Sequence, residues 1–196
     1  MTERLFAVFQ FIAVRLVALA LAGAVLGCGR AADSGGPSEL EIERQSAEAT
    51  WANAKPGCSQ GYHYTSTTSS VFGSCAETTI HVANDQVIGR SFVDYTSGGC
   101  GGGDAAPAEI WSELPPDIGM HSDGAAPLTV EQLFEACRIS LAQDRTANTF
   151  TLTIGTDGVP TACGYTPNAC VDDCFMGFIL SDFACGDWTF DAGPAH

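Results

Sequence analysis

Thiolates and imidazoles bind metals, and a thiolate beside an imidazole makes a nucleophile. Nine cysteines and four histidines therefore bound the chemistry open to this 196-residue chain. The densest cluster is Cys163-x6-Cys170-x3-Cys174-x10-Cys185. It lacks the paired C-x2-C knuckles that mark a zinc site with four thiolates at about 2.3 Å. The histidines His63, His81, His121 and His196 show no H-x-x-x-H or H-E-x-x-H spacing. Only His63 and His81, in adjacent strand-like runs, are placed to share a metal, and single strand histidines are ordinarily half-buried side chains. Gly98 to Gly103 surround Cys100 without the G-K-[ST] ending of a phosphate loop, and Asp104 beside them repels phosphate. Asp172 and Asp173 are adjacent, so a strand would point them in opposite directions and a solvated acidic turn is expected. No serine elbow occurs. The expectation is no catalytic residue, no metal site and no cofactor.

Cys28 stands apart from the other eight. It ends the stretch LALAGAVLGCGR, behind an apolar run of 11 residues from Leu16 to Leu26, with Arg4 and Arg15 upstream. That run falls short of the roughly 20 residues a bilayer-spanning helix needs and fits a secretory h-region of about 7–15. Starting the span at Leu5 would put Arg15 inside the membrane, at about 2.5–3.5 kcal/mol. Val25-Leu26-Gly27-Cys28 resembles the lipobox of bacterial lipoproteins. The resemblance implies that residues 1–27 are removed, that the Cys28 thiol carries a diacylglycerol and that its new amino group is acylated. Gly29, where an aspartate would retain the protein elsewhere, points to the outer membrane. The expected address is the bacterial cell envelope, with GRAADSGGP over 29–37 completing a flexible tether that starts at Cys28.

Taking Cys28 as the lipid carrier leaves Cys58, Cys75, Cys100, Cys137, Cys163, Cys170, Cys174 and Cys185, an even set that in an exported chain reads as disulfides. Placement along the chain suggests Cys163 with Cys185 across the last two strands and Cys170 with Cys174 at a hairpin tip. Cys58 with Cys75 would flank the first strand, leaving Cys100 for Cys137. This is one arrangement among the many that eight cysteines allow. The formal charge is −15, and losing the leader makes it one unit more negative. No basic face can be built from so few cations, which excludes nucleic acid as a partner. The acidity itself reads as colloidal solubility.

The elements that must position these residues alternate in a simple order. SELEIERQSAEATWANAKPG opens with Ser38 and Glu41 at capping-box spacing, sets Leu40, Ala47, Trp51 and Ala54 on one side, and ends at Lys55-Pro56-Gly57. Three strand-like runs follow: from Tyr62, around Ile80, and from Gln86 to Val93, the last two joined by an Asn84-Asp85 turn. Residues 96–127 read as a long loop, functional or disordered, carrying Trp111, a residue type enriched at binding hot spots. Thr129 and Gln132 then make a capping box, with Leu128 and Leu133 at staple spacing. Val130, Leu133, Phe134, Cys137 and Leu141 form one stripe. Three more strands follow: around Phe150 to Ile154, from Val159 to Tyr165, and through FMGFILSDF. The expected fold is one α+β domain over 38–196: two helix-plus-three-strand units forming an antiparallel sheet with helices on one face.

The order of these motifs resembles a bacterial family, often exported or lipid-anchored, known only as a domain of unknown function. Its pattern is met by Trp51, Lys55, Pro56, Tyr62 and Tyr64, then Asn84 to Ile88, then Thr129, Val130, Leu133 and Phe134. Asp157, Gly158 and Pro160 and finally Ser181 to Phe183 complete it, over residues 45–185. The chain departs from the pattern in CSQG before Tyr62, in the loop from Thr96 and in the cysteine-rich end from Cys163. The resemblance implies the fold and no activity. The arrangement is also similar, as a fold alone, to small periplasmic inhibitor and assembly-factor modules.

These readings converge on a non-enzymatic envelope lipoprotein that binds an unidentified protein or envelope component, Trp111 being its candidate contact. An inhibitor of a protease or other hydrolase is the neighbouring alternative, and an enzyme with unidentified carboxylates the more distant one. Metabolic labelling with a palmitate analogue should mark the wild-type protein. Cys28→Ser should stay unlabelled and keep residues 1–27 in its mass.

Overall fold

The computed structural model describes residues 38–70, 73–95, 100 and 107–186. Cys28, the expected leader over 1–27 and the tether that ends at residue 37 lie outside them. The first helix, α1 (Glu39–Ala54), starts where the Ser38 hydroxyl accepts from the Glu41 amide at 3.2 Å. The expected capping box is only half made, because the Glu41 carboxylate turns away to Arg44, at 2.8 and 3.0 Å. Arg44 also reaches Glu48 at 2.9 Å, so a buried guanidinium is satisfied within its own helix. Pro56 has no amide hydrogen to continue the ladder, and the chain tightens into a 3-10 turn over Lys55–Cys58.

Seven strands build one antiparallel sheet: β1 (Tyr62–Ser69), β2 (Cys75–Ala83), β3 (Gln86–Tyr95), β4 (Glu109–Glu113), β5 (Asn148–Ile154), β6 (Pro160–Pro167) and β7 (Met176–Cys185). Their order is β4-β3-β2-β1-β7-β6-β5. Asn84 and Asp85 both take positive φ, 50° and 61°, which turns β2 into β3 with the twist a two-residue hairpin needs. β4 corrects the expectation of an uninterrupted loop over 96–127. Its five residues, between Pro107 and Pro115, are too few to show a period, but paired to β3 they alternate, Trp111 and Glu113 inward and Ile110 and Ser112 outward.

The second helix, α2 (Val130–Leu141), carries the complete capping box. Thr129 Oγ1 accepts from the Gln132 amide at 3.4 Å and Gln132 Oε1 from the Thr129 amide at 2.7 Å. It buries the stripe read from the sequence, Val130, Leu133, Phe134, Cys137 and Leu141. Both helices lie on the same face of the sheet, where Trp51, Val130 and Phe134 share one core with Tyr62, Tyr64 and Ile80. The Tyr-x-Tyr pair ties β1 to the start of α2. Tyr62 Oη accepts from the Val130 amide at 3.0 Å, and Tyr64 Oη donates to the Leu128 carbonyl at 2.6 Å. Trp51 Nε1 donates to Glu131 at 3.0 Å, and Lys55 Nζ bridges Glu131 and Asp85 at 2.7 and 2.6 Å. Gly158, at φ 81°, lies against α1 so closely that a Cβ would meet the Ala47 carbonyl at 2.6 Å. The Asp-Gly turn is therefore a packing surface as well as a turn.

All eight cysteines of the domain are paired: Cys58–Cys185, Cys75–Cys100, Cys137–Cys163 and Cys170–Cys174. Their Cα separations of 4.8, 5.2, 5.4 and 6.2 Å lie in the range disulfides span. Only Cys170–Cys174 matches the pairing expected from chain position, and the sheet order explains the other three. β7 lies beside β1, so Cys185 falls opposite Tyr62 and next to the end of α1, where Cys58 sits. Cys163 faces the helices and meets Cys137 of α2, both fully buried. Cys75 stands opposite Tyr95 at the end of β3, within reach of Cys100 a few residues on.

Peptide mapping without reductant should return these four pairs and no alkylated thiol; a Cys58–Cys75 or Cys163–Cys185 peptide would contradict the fold. The double change Cys137→Ala, Cys163→Ala should lower unfolding free energy by about 2–4 kcal/mol in denaturant titration.

Candidate functional site

The sheet is wider than the two helices can cover. Beyond β1, the helix-bearing face continues through Thr78, Phe92 and Arg90 to Trp111 and Glu113 of β4. There the chain from Leu114 to Leu128 folds back over the face as an irregular strap. One ion pair holds it. Arg90 and Glu113 stand opposite each other on β3 and β4, with side chains only 3% and 1% exposed, and Arg90 Nε lies 2.9 Å from Glu113 Oε2. That contact is Coulombic, since the Nε–H is not aligned on the oxygen.

The remaining atoms of the pair grip the strap. Arg90 Nη1 donates to the Ala125 carbonyl at 3.1 Å, and Nη2 to the carbonyls of His121 and Asp123 at 2.8 and 3.2 Å. Glu113 accepts from the amides of Gly119 and His121 at 2.7 and 2.6 Å. His121 Nδ1 lies 2.9 Å from it and must carry the proton there, because an ionised carboxylate only accepts. Burial pushes the Glu113 carboxyl up, but the two amides, the imidazole and the Arg90 charge together outweigh it and hold the group below the ordinary carboxylate range. Trp111 stacks on Phe92 and on His121, with ring centroids 4.9 and 4.3 Å apart, and the Arg90 guanidinium is 4.6 Å from its ring.

Between strap, α2 and sheet lies a pocket of about 470 Å³, within the size range of small-molecule sites. Its apolar wall is Tyr64, Phe92, Leu133, Phe178 and Leu180, and its roof is Asp123 to Ala126 with Leu128. The space exists because small residues occupy inward positions: Ser66 on β1, Ala76 and Thr78 on β2, and Ala136 on α2. Gly124, at φ 80°, lets the roof approach, since a Cβ would come within 2.9 Å of Phe92 and Thr78. The Ala125 amide donates to Thr78 Oγ1 at 2.9 Å. The Ser66 side chain faces the pocket at 8% exposure, and its hydroxyl has no hydrogen-bond partner among the described residues. A groove of about 600 Å³ along α1, between Ile42 and Gly158, is larger but more open to solvent and rimmed by Glu39 and Glu43.

Trp111 is 9% exposed. It anchors the strap inside the protein and offers no surface to a partner in this conformation. His63 and His81 oppose each other across β1 and β2 on the face away from the helices, rings stacked at 5.8 Å. Burial pushes both imidazoles below their ordinary value; Asp182 partly opposes this at His63, and the His63 charge adds to it at His81. His121 belongs to the clasp and His196 lies outside the described residues, as do the glycines around Cys100. Among the described residues, Cys75, Glu77 and Cys100 are the group that could hold a metal, and the two sulfurs are consumed in their disulfide. Arg90, Glu113 and Ser66 were not singled out from sequence. The available signal was a cation at an inward position of the strand QVIGRSFV. No known protein family, curated protein or solved structure matches the chain.

Because the Glu113 pKa is depressed by folding, its contribution is full above the unfolded value of about 4.3 and fades as pH falls through the lower folded value. The Gly119 and His121 amides should lose hydrogen-exchange protection in that acid window. Glu113→Gln should cost about 3–5 kcal/mol at neutral pH, as breaking a buried pair does, and remove the acid step. A wild-type-like unfolding midpoint in this variant would contradict the clasp.

Proposed function

We propose that the protein is a non-enzymatic, lipid-anchored module of the bacterial cell envelope that binds its partner in the strapped pocket. The pocket carries this reading: it is preformed, apolar and roofed by a segment whose backbone is pinned by Arg90 and Glu113, so little ordering entropy is lost on binding. Four disulfides suit an oxidising, exported environment. The lipobox-like Val25 to Cys28 supports a lipid anchor, and Gly29 an outer-membrane address. We read the chain further as two helix-plus-three-strand units, α1 with β1–β3 and α2 with β5–β7, with β4 and the strap inserted between them. On that reading the pocket lies at the seam where β1 meets β7, a common place for ligand sites.

Photo-crosslinking in the native envelope tests it. Thr68→benzoylphenylalanine, at the pocket mouth, should capture a partner, and Thr151→benzoylphenylalanine, on the exposed face of β5, should not. Adding Ala136→Trp to fill the pocket should abolish capture. Equal capture from both positions would remove the pocket from the reading. Turnover of a hydrolase substrate, abolished by a single Asp or Glu change, would overturn it altogether. Inhibition of a hydrolase that survives pocket filling would move it to the inhibitor class.

A further inference from the structure

The pocket lining has a one-sided electrostatic character. No lysine, arginine or histidine contributes to it, and its single carboxylate, Asp123, is exposed at the roof. Arg90, which grips the roof, has both terminal nitrogens committed to Glu113 and to three strap carbonyls, and its Nε lies against Glu113. An anionic group entering would be stripped of water with no cation to meet it, under a chain of net charge −15. A cation seated in the body would be equally unpaired, since Asp123 stands at the lip. The interior does offer hydrogen bonding, in the Ser66 hydroxyl, which is more than nine-tenths buried, faces the pocket and is unpartnered among the described residues.

Resting on the binding-module reading, we propose that the pocket takes an uncharged apolar small molecule whose polar atom hydrogen-bonds the Ser66 hydroxyl. Seated there, the ligand body covers Tyr64, Phe92, Leu133, Phe178 and Leu180, and its polar atom hydrogen-bonds the Ser66 hydroxyl that faces the pocket. Discrimination against anions follows from the missing cation and requires no clash.

Two dyes with similar aromatic bodies separate these terms. N-phenyl-1-naphthylamine is uncharged and carries one N–H; 1-anilinonaphthalene-8-sulfonate adds a sulfonate. The purified, oxidised domain should bind the uncharged dye at one site, with saturable emission, and the sulfonate about tenfold or more weaker. Ser66→Ala should weaken the uncharged dye about threefold to tenfold, the worth of one hydrogen bond, and leave naphthalene, which has no donor, unaffected. Asp123→Lys places a cation at the lip, keeps the backbone carbonyl that Arg90 holds, and should narrow the gap between the dyes. Ala136→Trp should abolish binding at an unchanged melting temperature. If that variant is unstable, the Ser66→Ala and Asp123→Lys ratios decide alone. Refusal of the uncharged dye, or equal affinity for both dyes, would overturn the ligand class, and crosslinking from position 68 judges the module reading independently.

Discussion

Burying a guanidinium and a carboxylate costs several kcal/mol each, and their attraction repays this only when every remaining donor and acceptor is matched. Arg90 and Glu113 come close to that condition by taking partners from the backbone of the strap, leaving only the Arg90 Nε–H to a purely Coulombic contact with Glu113. The dependence runs both ways. An irregular segment lying over a sheet leaves amides and carbonyls that must find partners, and a charged pair at two paired strand positions supplies them at fixed points. Remove either side and the other is left with unsatisfied buried groups. The stacking of Trp111, the approach of Gly124 to Phe92 and the roof of the pocket all follow from this clasp.

The clasp solves a problem of width. Two helices cover the β5–β7 side of the helix-bearing face and the central strands as far as Ile80 and Val82 of β2, leaving the Thr78 end of β2, most of β3 and β4 uncovered. A third helix would have sealed that side with a continuous apolar core. A strap seals it with backbone instead, and where strap and α2 fail to meet, the small side chains of Ser66, Ala76 and Ala136 leave the pocket open.

What was legible in the sequence is what depends on neighbours along the chain. The Thr129–Gln132 box, the apolar stripe of α2, the Asn84-Asp85 turn and the strands around Tyr62, Ile80 and Phe150 are local patterns, and the fold contains them. The disulfide pairing was mostly misread, because Cys58 meets Cys185 only once β7 has inserted beside β1, and no spacing encodes that. β4 and the Arg90–Glu113 pair were missed for the same reason. Five residues show no period, and a charge at an inward strand position looks anomalous until its partner strand arrives. The pocket is less legible still, being the sum of small residues from separate segments. The single helix-bearing face was recovered, but the first half of the domain adds four strands to the sheet where three were expected.

The Cys58–Cys185 bond joins the 3-10 turn after α1 to the last strand, across a sequence separation of 127 residues. Its consequence is mechanical. A load applied at the N-terminal end of the domain can unwind α1 and the 3-10 turn after it, but at Cys58 the force passes through a covalent bond directly into β7. The intervening chain, carrying β1 to β6 and the strap, is closed into a loop that such a pull cannot lengthen. A domain tugged from its N-terminal side therefore extends only by unwinding α1 and the turn after it, and the strands held between Cys58 and Cys185 cannot be drawn out behind them.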